Sequence, residues 1–143
     1  MAVRAVRGAT QLDDDVREHL LERVAEMVTD VMTSNELEVD DVISVLFTAT
    51  SDLVSEFPAY AARRLGFGEV PMVCARELDI TGSMPRVVRM LAHVETDRPR
   101  ADITHVYLHG AAALRRDLTR VREVPDDHPT TPIAPLTPPQ GPR

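Results

Sequence analysis

At 143 residues and 15.9 kDa the chain suits one domain plus a tail, and a chain of this size buries about 70% of its unfolded surface without staples. A net charge of −7 and an aromatic content of 3% with no tryptophan argue against binding to phosphate backbones and against a base-stacking platform, so no nucleic-acid partner is expected. All 16 basic residues are arginine, which removes Schiff-base chemistry and any lysine general base.

The lone Cys74 cannot form an intramolecular disulfide or a cysteine-rich zinc site. No apolar run reaches the roughly 18 residues that span a membrane. The opening MAVRAVRGAT lacks the long apolar segment of a signal peptide. A cytoplasmic location and no membrane partner are therefore expected.

Residues 2–9 alternate, with Val3, Ala5 and Arg7 on one side and Arg4 and Val6 on the other. This spacing predicts a short strand ended by Gly8, with Arg7 near its C-terminal end. Asp13, Asp14 and Asp15 are expected to cap a helix, because carboxylates satisfy orphan N–H groups and complement the helix dipole. Val16, Leu20, Val24, Met27, Val28 and Val31 would form its apolar face, and Ser34-Asn35 its end. Residues 42–49, VISVLFTA, are almost wholly apolar and read as a strand buried on both faces. Thr50-Ser51-Asp52 forms a second capping cluster. Pro58 suits the first turn of a helix over 59–65, closed by Gly66 and preceded by Phe57.

Residues 70–74 read as a strand that Pro71 confines to an edge. Past the Gly82 corner, residues 86–95 alternate cleanly. Val87, Arg89, Leu91 and His93 oppose Val88, Met90, Ala92 and Val94. Arg89 inside an apolar strand requires an anionic or polar partner, since burying an unpaired charge costs several kcal/mol. A last strand is expected over 103–109, with Val106 and Leu108 opposite His105, Tyr107 and His109; AAALRRDL then carries Leu114 and Arg115 onward. From residue 124 the chain holds seven of the eleven prolines and no periodic face, so residues 124–143 are read as a disordered tail after a domain over 1–123. The order β-α-β-α-β-β-β predicts an α/β fold with a mixed sheet of about five strands.

The polar inventory narrows the chemistry. No phosphate-cradling glycine loop is present, since GFGEV at 66–70 has the wrong spacing. His105 and His109, i and i+4 on a strand, would stand about 13 Å apart, too far to share a metal ion. Cys74 paired with His93 or His105 is a conceivable nucleophile and base, but a single cysteine is more often a small hydrophobe. What remains is Arg7, Arg63, Arg89, Arg115 and Arg116 with Glu77 and Tyr107, a set suited to bidentate binding of a small polycarboxylate.

In combination, RGAT at 7–10, TATSDL at 48–53 followed by FPA and Arg63, VPMVCARELDITGSMPRVVRML at 70–91 and HVYLHGAAALRRDL at 105–118 resemble the small trimeric α/β-barrel chorismate mutases. The resemblance implies a homotrimeric pseudo α/β-barrel with active sites between subunits. It also implies the rearrangement of chorismate to prephenate without cofactor or metal. Arg89 would then serve the ether oxygen, Arg7 and Tyr107 the side-chain carboxylate, and Glu77 and Cys74 the ring hydroxyl. Phe57, Ala59, Val73 and Leu114 would line the walls, and Arg63 and Arg115 would face the ring carboxylate. Phe57, Arg63 and Cys74 would come from one subunit, and Arg7, Glu77, Arg89 and Tyr107 from its neighbour. Tyr60 and Val73 depart from the family pattern, where a lysine and a small polar residue are usual. The rival expectation is a trimeric small-carboxylate binder or an imine-deaminase-like protein of similar fold.

Overall fold

A computed structural model describes residues 1–115. The tail over 124–143, the end of the domain beyond 115, and Arg116 lie outside the described residues. The chain runs β1 (Ala2–Gln11), α1 (Arg17–Ser34), β2 (Val42–Ala49), α2 (Pro58–Ala62), β3 (Met72–Arg76), β4 (Val87–Thr96) and β5 (Val106–Leu108), in the predicted order. The five strands form one mixed sheet ordered β3-β2-β4-β1-β5. β4 is antiparallel to β1 and β2, whereas β2–β3 and β1–β5 are parallel. Pro71 precedes β3, which is an edge strand, as the missing N–H requires.

One sheet face carries the core. Val6, Phe47, Val88, Met90 and Val94 pack against Leu20, Val24, Met27, Val28 and Val31 of α1, all 3% exposed or less. Each such side chain stabilises the fold by about 1.5–3 kcal/mol relative to exposure. A Cβ built on Gly8 would lie 2.9 Å from Met90 Cγ and 3.1 Å from Met27 Cγ, so glycine lets α1 approach β1 closely. Buried Asn35 then anchors the helix end. Its amide donates to Val31 O and Thr104 O, and its Oδ1 accepts from Thr104 N–H, fixing the lead-in to β5.

The opposite sheet face is open. There Val3, Leu46 and Val73 are 56%, 38% and 64% exposed. β2 is therefore buried on one face of the chain, contrary to the reading of VISVLFTA as doubly buried. Gly8 does not end β1, because β4 offers partners as far as Gln11.

The three aspartates do not cap α1. The helix begins at Arg17 with Val16 at the N-cap, and no side chain bonds there. Asp15 instead accepts the Val54 and Ser55 N–H groups at 3.0 and 3.2 Å, holding the loop that follows β2. Asp52 accepts the Arg86 N–H at 3.0 Å and so joins that loop to β4. The second helix runs only over Pro58–Ala62 and continues as a π-turn, Arg63–Phe67, in which Gly66 takes a φ of 98°. β5 is also shorter than expected. His109 has a φ of 53°, leaves the strand and meets Glu26 of α1 at 2.6 Å instead of sharing the face of Tyr107.

Candidate active site

Strand register places the polar residues of the open face. One row across the sheet reads Ala75, Thr48, Arg89, Ala9, Tyr107. The small side chains at Ala75 and Ala9 leave space beside the longer ones. The neighbouring row reads Val73, Leu46, Leu91, Arg7. Together the rows form a cavity of about 510 Å³ lined by Arg7, Leu46, Thr48, Arg89, Tyr107 and Leu114 among others. That volume lies within the usual span for small-molecule sites, about 300–1,000 Å³.

Arg89 is half-exposed in the chain, not buried, and its partner is Glu77, whose Oε1 lies 2.8 Å from Arg89 Nε. Thr48 Oγ1 donates to the same oxygen at 2.8 Å. Glu77 reaches this position because its N–H continues the β2–β3 ladder by donating to Ala49 O at 3.0 Å. Among the described residues no carboxylate pairs with Arg7. The backbone N–H of Arg7 donates to His105 Nδ1 at 2.9 Å, which fixes His105 as an acceptor at that nitrogen. Burial holds the His105 pKa below its usual value, and the nearby Arg7 and Arg115 charges lower it further. The lowered pKa disfavours a third positive charge beside Arg7 and Arg115.

A second concavity of about 340 Å³ lies elsewhere, lined by Thr50, Glu56, Phe57, Cys74 and Arg76 among others. Cys74 pairs with Phe47 in register and is partly buried on the helix-facing side of β3. Phe57 is 71% exposed although it is a large aromatic. Its N–H donates to Glu56, whose carboxylate also accepts Arg17 Nε at 2.8 Å, and Arg17 lies over the Tyr60 ring. The Phe57 N–H and the Arg17 guanidinium hold the Glu56 carboxyl below the usual carboxylate range.

The chain therefore brings together Arg7, Arg89, Tyr107 and Leu114, with Glu77 bonded to Arg89. It does not bring Phe57 and Cys74 to that cavity. Arg63 is exposed in the π-turn and Val73 is exposed on the open face. Ala59, expected as a wall residue, is 6% exposed and packs in the core. Arg115 is exposed at the described end of the chain. Sequence reasoning missed the contacts of Thr48, which lines the cavity and bonds Glu77, and of His105, which accepts the Arg7 N–H. The signal for Thr48 was a hydroxyl in an almost wholly apolar strand, which Ser44 shares. Among the described residues no group of three or more histidine, cysteine or acidic side chains is placed to hold a metal ion. No helix among them is long and apolar enough to cross a membrane.

Comparison with known proteins supplies the context. A family model described as chorismate mutase type I matches residues 3–118. The chain is 41% identical over 117 residues to chorismate mutase AroH of Thermus thermophilus, spanning 81% of this chain and 96% of that one. It is 38% identical over 120 residues to chorismate mutase AroH of Bacillus subtilis, spanning 83% and 94%. A solved chorismate mutase from Clostridium thermocellum superposes with a TM-score of 0.76 at 39% identity, covering 77% of this chain and 98% of the other. With two arginines and a phenol lining one sheet cavity, an acid paired with one of those arginines, and relatives matched over nearly their whole length, the chain belongs to the type I chorismate mutase family.

Proposed function

We propose that the protein is an isomerase that rearranges chorismate to prephenate, a step toward aromatic amino acids, at sites assembled between copies of a homotrimer. The observation that carries this reading is the pairing of Arg7 and Arg89 on adjacent strands around one cavity with apolar walls. Two cations there match a small dicarboxylate, and the family match supplies its identity. The trimeric carboxylate-binding or imine-deaminase-like alternative is not favoured, because the family match spans residues 3–118.

The rearrangement is intramolecular: one C–O bond breaks, one C–C bond forms, and no proton or electron leaves the substrate. The protein must hold the flexible side chain over the ring and oppose charge that grows on the ether oxygen. The first converts a floppy reactant into a reactive conformer; the second stabilises the transition state more than the ground state.

In this reading Arg7 and Tyr107 hold the side-chain carboxylate, and Arg89 donates to the ether oxygen. Glu77 orients Arg89 and accepts from the ring hydroxyl. Phe57, Cys74 and Arg63 reach the substrate from the neighbouring subunit. This division is supported by their placement away from the Arg7–Arg89 cavity. Exposed Leu46 and Val73 on the open sheet face support the trimer, since apolar side chains there gain from a covering surface. Arg115 and Leu114 border the mouth.

Pure protein mixed with chorismate tests the reading. Loss of chorismate absorbance with formation of prephenate, identified after acid conversion to phenylpyruvate, is expected. Unchanged chorismate would refute it.

A further inference from the structure

We propose that Thr48 is a positioning residue for the reaction: its hydroxyl holds the Glu77 carboxylate against Arg89 Nε, so that the Nη groups of Arg89 stay available to the ligand. The catalytic part of this inference rests on the function proposed above; the geometric part does not.

Thr48 and Arg89 are directly opposed residues of β2 and β4, and Ala75 stands opposite Thr48 on the other side. From that place Thr48 Oγ1 donates to Glu77 Oε1 at 2.8 Å, and Arg89 Nε stands 2.8 Å from the same oxygen in an ion pair. Glu77 lies just past the end of β3, so its backbone pairing alone sets its side-chain direction only loosely. The Glu77–Arg89 pair is also open to solvent on the arginine side, which weakens its power to enforce one geometry. A second donor on the same oxygen, carried by a β-branched side chain with a stiff χ1 in the middle of the sheet, supplies what the ion pair lacks. Nε is the nitrogen that meets Glu77 at 2.8 Å, and Arg89 also lines the cavity, which leaves the Nη donors as the groups to meet a ligand.

The hydroxyl is not needed to fill space. Valine has nearly the same shape and would suit the sheet, so packing alone does not explain threonine here. Thr48 also lines the cavity itself. Direct contact with substrate is therefore the competing role, and the test separates the two.

The experiment compares the wild type with Thr48→Val and Thr48→Ser, each alone and combined with Glu77→Ala. Thr48→Val is expected to lower kcat by about tenfold or more, the usual effect of losing a hydrogen bond to a charged group, with a smaller change in KM. Thr48→Ser should retain most of the activity. In the Glu77→Ala background, Thr48→Val should cost little more, because the group it positions is gone. An undiminished loss in that background would show direct action on substrate and overturn the proposal. So would unchanged kcat in Thr48→Val alone.

A readout without substrate completes the test. Exchange of the Arg89 Nε proton, followed by NMR in the ligand-free protein, should accelerate in Thr48→Val but not in Thr48→Ser. Equal exchange in all three proteins would refute the positioning role whatever the enzyme activity. A wild type inert toward chorismate but with this exchange pattern would overturn the reaction and leave the positioning geometry standing. Should Thr48→Val fail to fold, Thr48→Ala carries the same expectations.

Discussion

Replacing Arg89 by alanine separates the two things a strand arginine can do. For stability the loss should be modest. The side chain is 46% exposed, and an ion pair so open to solvent contributes about 0–1 kcal/mol. For a small domain that corresponds to a fall in melting temperature of at most about 4–8 °C. For turnover the loss should be far larger. Removing a single donor to charge that develops in the transition state costs about 10²–10³-fold, or about 2.7–4 kcal/mol. The two magnitudes are far enough apart to be distinguished in one preparation. Arg89→Lys should fall with the alanine variant, because one ammonium cannot both meet Glu77 and present a planar pair of donors to the ligand. The assay is chorismate loss at saturating substrate, with the melting curve and the oligomeric state recorded alongside. If Arg89→Ala keeps the fold and more than about a tenth of the wild-type kcat, the electrostatic reasoning is wrong, since tenfold is only about 1.4 kcal/mol.

Cys74→Ser should keep kcat/KM within about tenfold, because a sulfur serving as a contact is replaceable and a nucleophile is not; complete loss in a folded protein would restore the cysteine-enzyme reading. Gly8→Ala should destabilise the fold by about 1–3 kcal/mol, since its Cβ would meet Met90 and Met27 across the helix–sheet contact; urea melts measure this, and an unchanged midpoint would show that α1 gives way freely. His105 should make stability depend on pH. Its folded pKa lies below the ordinary histidine value of 6.5, so the unfolded chain takes up the proton first and stability is lost as pH falls below that value. The difference in unfolding free energy between wild type and His105→Gln should therefore shrink on acidification; a difference that grows would refute the lowered pKa.

Much of the fold was legible because period-2 and period-3.6 patterns are local. β2 begins and ends where its apolar run does, and β4 shows the predicted alternation. Misreadings arose where the sequence holds only one half of an interaction. Asp13, Asp14 and Asp15 read as helix caps because aspartate bonds N–H groups well, but the N–H groups Asp15 meets belong to Val54 and Ser55, far along the chain. VISVLFTA reads as doubly buried because apolarity does not tell which face α1 covers, and Ile43 and Leu46 remain exposed. His109 departs from β5 through a positive φ that no alternation pattern reveals.

The site was legible in its cast and less so in its arrangement. Arg7, Arg89 and Tyr107 line one cavity, and Leu114 joins them there; the resemblance had implied the first three together. That Glu77 is held by Thr48 and Arg89 on one oxygen depends on cross-strand register, which the sequence does not display. The separation of Phe57 and Cys74 from that cavity is likewise a matter of sheet faces: Cys74 and Val73 adjoin in sequence and point to opposite sides of β3.

The central claim is that the Arg7–Arg89 cavity of one copy is completed by the Phe57–Arg63 region of another. Co-expressing Arg89→Ala with the double variant Phe57→Ala/Arg63→Ala tests it most directly. Each protein alone should be nearly inactive, while random mixed trimers contain intact sites at about one interface in four. Recovery of roughly a quarter of wild-type activity in the purified mixture is the predicted result. Activity no greater than the mean of the two variants, in trimers shown to be mixed, would contradict a site shared between copies.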